Sequence, residues 1–319
     1  MGKIRHGLLS VTYGGLWFKG EPLSIVDQIK KIRGMGIDGI AIEARRPVAS
    51  PIDLTKEDRK KIKQAAKTHG VAICAIESMG NFTRLTREER ENNLAMMKLI
   101  LDMAVDLEAT TVKVLAEWTG TTLDSKGIAT YEIAAAHYGT RSDMTTLDRW
   151  RLARDGMGEV SAWAKERGLD LALQNLSPIF SVGYEDALAM VEEIGMDNFK
   201  LDMDPHCFGS KQSDEYIKEA FERCKDRLAP FCHYPAWSIG ETAPGEIAPI
   251  PVNLPCQASV FFTVNYKAFV REAKRIGWDG YMCVEECAPV VVDHEYAGID
   301  EVDRVVTRAV EYIDGILQG

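Results

Sequence analysis

The sequence predicts an α/β protein of the (β/α)8 TIM barrel type, a single domain spanning residues 1–319. Three observations predict it. Short apolar runs alternate with amphipathic helical stretches eight times. Glycines stand at five places where a helix must stop before the next strand. The two longest connections both follow a strand. Strict β-then-α alternation requires a parallel sheet. Eight units suit closure, whereas a doubly wound sheet usually has fewer strands and a glycine-rich phosphate loop. No G-x-G-x-x-G or Walker sequence follows any strand here.

The strands read near 6–12, 37–43, 71–77, 110–117, 169–174, 199–204, 228–233 and 280–285. Ser24 with Asp27 makes a capping-box-like start, with Val26, Ile29 and Ile32 down one face of the first helix. Thr55 with Asp58 and Thr86 with Glu89 repeat the device. Leu94, Met97, Leu101 and Ala104 give the third helix its apolar stripe. Gly36, Gly70, Gly168, Gly195 and Gly277 mark helix ends. The last helix begins near Ile299 and carries Val302, Val306, Ala309 and Ile313 inward. The long connections are 118–148, after strand 4, and 234–264, after strand 7. Both therefore lie over the C-terminal mouth, where barrels of this type keep their chemistry, and loops of such length are uncommon unless they bind or cover something.

Composition excludes several classes. With 46% hydrophobic and 27% charged residues the chain suits a large folded core rather than disorder. No apolar run is long enough to span a bilayer, and Met1–His6 lacks a secretory h-region, so the expectation is a cytoplasmic protein without a membrane partner. The seven cysteines, an odd number without a C-x-x-C pair, read as reduced thiols. A net charge of −10 without a dense Lys/Arg cluster argues against nucleic acid.

Period-two alternation selects the inward side chains. In strand 6, Leu201 and Met203 face the helices, so Lys200, Asp202 and Asp204 face in. Cys283 and Glu285 face in from strand 8, Ala172 and Gln174 from strand 5, and Phe231 and His233 from strand 7. Four ligand-type residues, Gln174, Asp204, His233 and Glu285, thus converge at the tops of consecutive strands. Two carboxylates, an imidazole and an amide oxygen suit one divalent metal, Mn²⁺ first, with Mg²⁺, Co²⁺ and Zn²⁺ as alternatives. The plainer explanation, a structural polar layer, suits Lys200 and Asp202 deeper in strand 6.

These residues carry a resemblance. Asp204-Pro205-His206 closing strand 6, His233 closing strand 7 and Gly280–Glu285 forming strand 8 resemble the sugar phosphate isomerase/epimerase family of xylose-isomerase-like barrels. Gly36–Glu43 is similar to that family's second strand. The resemblance implies metal ligation by Asp204, His233 and Glu285, with His206 touching substrate. The sequence departs from the family twice. Gln174 stands where typical members have a Glu that pairs with the strand-8 Glu across the sugar, and an amide cannot act as a base. Tyr234-Pro235-Ala236-Trp237 follows His233 where relatives commonly carry Lys-Asp.

With Gln174 disqualified, the base falls to Glu285, to His137 in the connection after strand 4, or to Glu117 at the end of that strand. Glu43 and Glu77, ending strands 2 and 3, offer partners for sugar hydroxyls. Trp118 and Trp237 in the long connections, with Trp17 and Phe18 after strand 1, offer faces for a sugar ring or an aglycone. The implied activity is metal-dependent proton transfer next to a carbonyl of a sugar, as in an isomerase or 3-epimerase. The alternative ends in elimination of an aglycone from a 3-keto C-glycoside, as in C-glycoside deglycosidase catalytic subunits, which work beside a small second subunit. A remote alternative is a sugar-binding barrel without catalysis. Assembly stays open between a homo-oligomer and pairing with a small second subunit.

Overall fold

The structure is a computed structural model, described for residues 2–131, 134, 144–254 and 260–319. Eight parallel strands form its centre: β1 (Ile4–Leu9), β2 (Gly39–Glu43), β3 (Ala72–Glu77), β4 (Thr111–Val114), β5 (Asp170–Gln174), β6 (Phe199–Asp202), β7 (Phe231–Pro235) and β8 (Gly280–Glu285). Their order is β6-β5-β4-β3-β2-β1-β8-β7. The two outer strands of that order meet through a single parallel bridge, Leu201 to Leu228. There Leu201 N–H donates to Arg227 O at 2.7 Å and Ala229 N–H to Leu201 O at 2.8 Å, which closes the barrel.

Around the strands lie α1 (Ile25–Gly34), α2 (Lys56–His69), α3 (Arg87–Asp106), α4 (Thr146–Glu166), α5 (Glu185–Ile194), α6 (Asp214–Cys224), α7 (Tyr266–Ile276) and α8 (Ile299–Gln318). The helix starts form as the sequence indicates: Thr55/Asp58 and Thr86/Glu89 are reciprocal capping boxes, and the Ser24 hydroxyl accepts the Asp27 N–H. Gly70, Gly195 and Gly277 end their helices in the left-handed region, which costs a glycine least. No described helix is long and apolar enough to cross a membrane.

Outward side chains such as Ile40, Val112, Leu171, Leu201, Met282 and Val284 pack under the helices in the main core. The barrel interior holds a second, smaller cluster that includes Ala41, Cys74, Ala75, Ala172, Phe231 and Cys283. One irregularity there matters for the site. The β2–β3 register shifts between Ile40 and Ala41, so that both Cys74 and Ala75 turn inward. Strict alternation from Cys74 would have sent Ile76 inward and Glu77 out to the helices. With the bulge, Ile76 packs in the outer core and Glu77 enters the barrel, fully buried.

Over the mouth, the connection after β4 contains a two-stranded ribbon, Thr122–Leu123 with Ala129–Thr130, and the connection after β7 contains Ile239–Ala243 paired with Glu246–Pro249. The six cysteines among the described residues are free, and Cys256 lies outside them.

Candidate active site

Each inward strand end delivers one polar group. Gln174 is the last residue of β5, two beyond buried Ala172. Asp204 lies just past β6 in extended backbone and starts the turn Pro205–Phe208, with proline at its first position. Asn175 fixes this exit: its side-chain oxygen accepts the Asp204 N–H at 2.9 Å and its amide donates to Asp204 O at 3.3 Å. His233 follows Phe231 on the inner face of β7, the two rings meeting edge to face at 5.4 Å. Glu285 closes β8.

Three of the four expected ligands touch. The Gln174 amide donates to Asp204 Oδ2 at 2.6 Å, and the His233 N–H donates to Asp204 Oδ1 at 2.5 Å. The ring atom His233 Nδ1 faces Asp204 Oδ2 at 3.3 Å and Asp202 Oδ2 at 3.4 Å. Glu285 stands across from them, its Oε1 3.5 Å from His206 Nε2. Behind the ring, His233 Nε2 meets Glu77 Oε1 at 2.5 Å, and the other Glu77 oxygen is 3.0 Å from Lys113 Nζ. All of these side chains are buried.

Their charges do not balance. Glu77, Asp202, Asp204 and Glu285 are four buried carboxylates, facing the Lys113 ammonium and the His233 ring. Burial works against ionised Asp204, but His233 beside it outweighs that and holds the carboxyl well below its usual range. Burial also opposes charge on Glu77, and His233 and Lys113 likewise pull it down. For Asp202 the balance goes the other way: burial and the neighbouring Asp204 charge outweigh the pull of His233 and Lys113 and push it up to about 8. Burial, with Asp204 and Glu77 nearby, pushes Glu285 up to about 7. Burial drives His206 down to about 4, so it is neutral at ordinary pH. His233 is raised, burial being overcome by Glu77, Asp204 and Asp202. Excess buried negative charge is what a dication would neutralise. Ligand atoms of Asp202, Asp204 and His233 lie within 4.8 Å of one another, and neither Asp202 oxygen has a hydrogen-bond partner among the described residues. The donor set of oxygen and imidazole nitrogen therefore fits one hard or borderline divalent cation.

Above this cluster opens a cavity of about 260 Å³. Gln174, His206 and Glu285 form part of its floor, and Glu43, Glu77, Trp118 and Trp237 also line it. Much of its remaining wall is apolar, including Leu9, Met79, Leu115, Leu176 and Leu254. Tyr131, from the connection after β4, stacks on Trp17 at 5.0 Å, meets Trp118 edge-on at 5.7 Å, and donates its hydroxyl to Cys287 O at 3.0 Å.

Other expected residues fall elsewhere. Glu117 is buried but does not line the cavity; it faces Arg149 of α4 with both oxygens at 3.1 Å, because β4 ends at Val114 and the alternation stops with it. His137 lies outside the described residues. Glu77, read from sequence as a partner for sugar hydroxyls, directs its oxygens to His233 and Lys113. No Lys200–Asp202 pair forms among the described residues. Lys200 sits one pleat lower, where its charge acts on Asp170, and Asp202 faces His233. Phe18 is core, and Trp17 is buried beneath Tyr131.

Sequence reasoning passed over Lys113 and Arg45. Lys113 had a signal, since Thr-Val-Lys-Val places it inward between two outward valines. Arg45 pairs with Glu43 at 2.9 Å on the cavity wall, just beyond the end of β2, where no periodicity points to it.

With the geometry established, comparisons with known proteins place the chain. A family model described as xylose isomerase-like TIM barrel matches residues 29–302. The chain belongs to the xylose isomerase-like TIM barrel family. Solved structures extend the likeness over nearly the whole length of this family member. D-psicose 3-epimerase from Clostridium cellulolyticum H10, in complex with D-tagatose, superposes with a TM-score of 0.69 at 14% identity, covering 98% of this chain and 99% of that one. The 3-keto-D-glucoside 4-epimerase from E. coli gives 0.66 at 14% identity, covering 99% and 100%. A xylose isomerase-like barrel protein from Mycobacterium smegmatis in complex with magnesium gives 0.62 at 18% identity, covering 98% and 96%. No curated protein matches the sequence. At these identities the superpositions establish the barrel fold alone.

Proposed function

We propose that this barrel is a divalent-metal-dependent carbohydrate enzyme that removes a proton from the carbon next to a sugar carbonyl and returns it, a reaction of the isomerase or 3-epimerase type. The observation that carries this reading is the meeting of Gln174, Asp204 and His233 beside a cavity that Gln174 and Glu285 line. Asp204, His233, Gln174 and Glu285 would hold the metal, with Mn²⁺ the first expectation. Bound there, a dication would polarise the carbonyl and hydroxyl oxygens of the sugar. Glu285 is the base while also bound to the metal: it lines the cavity, and its carboxylate can take up the substrate proton and return it. Neutral His206, 3.5 Å from Glu285, can donate or accept a hydrogen bond at a substrate oxygen. Trp118 and Trp237 enclose the ring, Glu43 accepts from hydroxyls beside Arg45, and the apolar walls keep water from the exchanging proton.

One observation favours a second reading. Gln174, which lines the same cavity as Glu285, has its amide hydrogen-bonded to Asp204 and cannot take a proton. Epimerisation needs proton traffic on both faces of a carbon, whereas elimination needs one base. In that reading Glu285 removes the proton next to the carbonyl of a 3-keto C-glycoside, and the electron pair left behind forms the new double bond as the aglycone departs. The protonated Glu285 gives its proton to the departing carbon, the aglycone resting against apolar lining such as Met79, Leu115, Trp118 and Tyr131.

Exchange in D2O tests both readings. Mn²⁺-loaded protein is expected to place deuterium next to the carbonyl of a free ketose or a 3-keto glycoside, with loss on chelation and recovery on adding Mn²⁺. Release of aglycone separates lyase from epimerase. Absence of both exchange and aglycone release across a panel of both substrate types would overturn the proposal and leave a binding protein.

A further inference from the structure

Glu77 and Lys113 both line the cavity, and their connection to His233 is specific. The two Glu77 oxygens are divided: Oε1 meets His233 Nε2 at 2.5 Å, and Oε2 lies 3.0 Å from Lys113 Nζ. Side-chain exposure is 0% for Glu77, 1% for His233 and 4% for Lys113, so water does not compete for these contacts. The bulge in β3 exists at the level that turns Glu77 inward. On the far side of the ring, Nδ1 faces Asp204 and Asp202.

We propose that Glu77, anchored by Lys113, is a positioning residue that keeps the His233 proton on Nε2 and so leaves Nδ1 as the metal-binding atom. The inference rests on the metal reading given above and adds which ring nitrogen serves and what selects it. A carboxylate only accepts, so Nε2 must donate to it; the lone pair of a neutral ring then falls on Nδ1, the atom beside Asp204. Carboxylate partners of metal-binding histidines act in this way, and losing one typically weakens binding by about 10–100-fold. Lys113 sharpens the arrangement because an ammonium has three donors and no acceptor.

That asymmetry gives the test. In Glu77→Gln, Lys113 takes the amide oxygen and the NH2 group turns to Nε2, which must now accept. The proton moves to Nδ1 and blocks it. Lys113 keeps the charges of Asp202 and Asp204 nearby, so the variant is expected to fold. In Glu77→Gln/Lys113→Met the amide is free to rotate and present its oxygen to Nε2–H. Replacing both ends of a buried pair is also better tolerated than removing one. Titration with Zn²⁺ against a competing chelator, with thermal unfolding as the check on folding, is expected to give about 10–100-fold weaker binding in the single variant. The double variant is expected to recover most of that loss. A purely structural pair would regain unfolding temperature in the double variant without regaining metal affinity, and a double variant binding no more tightly than the single one overturns the proposal. Should the single variant not fold, ¹⁵N spectra of histidine-labelled, Zn²⁺-loaded wild-type protein decide alone: a proton on Nε2 and metal at Nδ1 support it, and the reverse overturns it. Wild-type protein that takes up no Zn²⁺, Mn²⁺ or Mg²⁺ removes the metal reading itself, a result distinguishable from a metal bound through the wrong nitrogen.

Discussion

Two storeys of the barrel interior, one pleat apart on the same strands, are built from opposite materials. The lower holds Ala41, Ala75, Ala172, Phe231 and Cys283. Two residues further along each strand stand Glu43, Glu77, Gln174, His233 and Glu285. The lower storey is apolar, mostly small and close-packed. The upper gathers charges whose burial is costly unless each finds a partner. Five strands switching together teaches that stability and chemistry are divided by height in this barrel. The storey below and the helices outside hold the frame in which the upper carboxylates stay desolvated.

Substitutions in the two storeys should therefore separate. The largest effects are expected above. His233→Ala and Glu285→Gln should each abolish metal binding, measured by calorimetry, and lower turnover by more than the roughly 100-fold that an outer-shell substitution can cost. Glu285→Gln should leave the unfolding temperature of the metal-free protein nearly unchanged, whereas His233→Ala takes the partner from buried Glu77 and Asp204 and should lower it; a fold lost on Glu285→Gln would erase the division. Below, a Cβ added at Gly7 would come within 2.5 Å of Cys283 Sγ. Gly7→Ala should cost about 1–3 kcal/mol in denaturant unfolding with metal affinity unchanged. Adding Cys283→Ala should recover part of that cost. On the cavity wall, Trp237→Ala should raise KM by a few-fold up to about tenfold, matching the roughly 0.5–1.5 kcal/mol of an aromatic contact, with kcat held. Gln174→Glu should change least: metal should still bind, more tightly because a carboxylate replaces an amide, and loss of metal there would contradict its place among the ligands.

Much of this was legible in the sequence. Strand 8 has the boundaries that alternation predicts, and Gln174, Asp204, His233 and Glu285 all point where period two sends them. The rule held because β5 to β8 are regular on their inner faces. It failed where regularity ends. Glu77 owes its position to an extra residue in β3, which no pattern of apolar residues announces. Glu117 lies beyond the end of β4, where the chain has left the pleat and an arginine of α4 claims it. Lys113 was readable from its valine neighbours, but its partner is a long-range choice among several carboxylates that only the folded interior makes.

The joint between β6 and β7 gives the site a further meaning. Few main-chain links span it, and just above them the Asp204 carboxylate accepts the His233 amide proton, so a side chain continues the ladder where the backbone leaves off. The two residues nearest that clasp stand on opposite banks. An ion gripped by both would rivet the ring shut at its weakest stave, making cofactor loading and mechanical integrity of the cylinder one event.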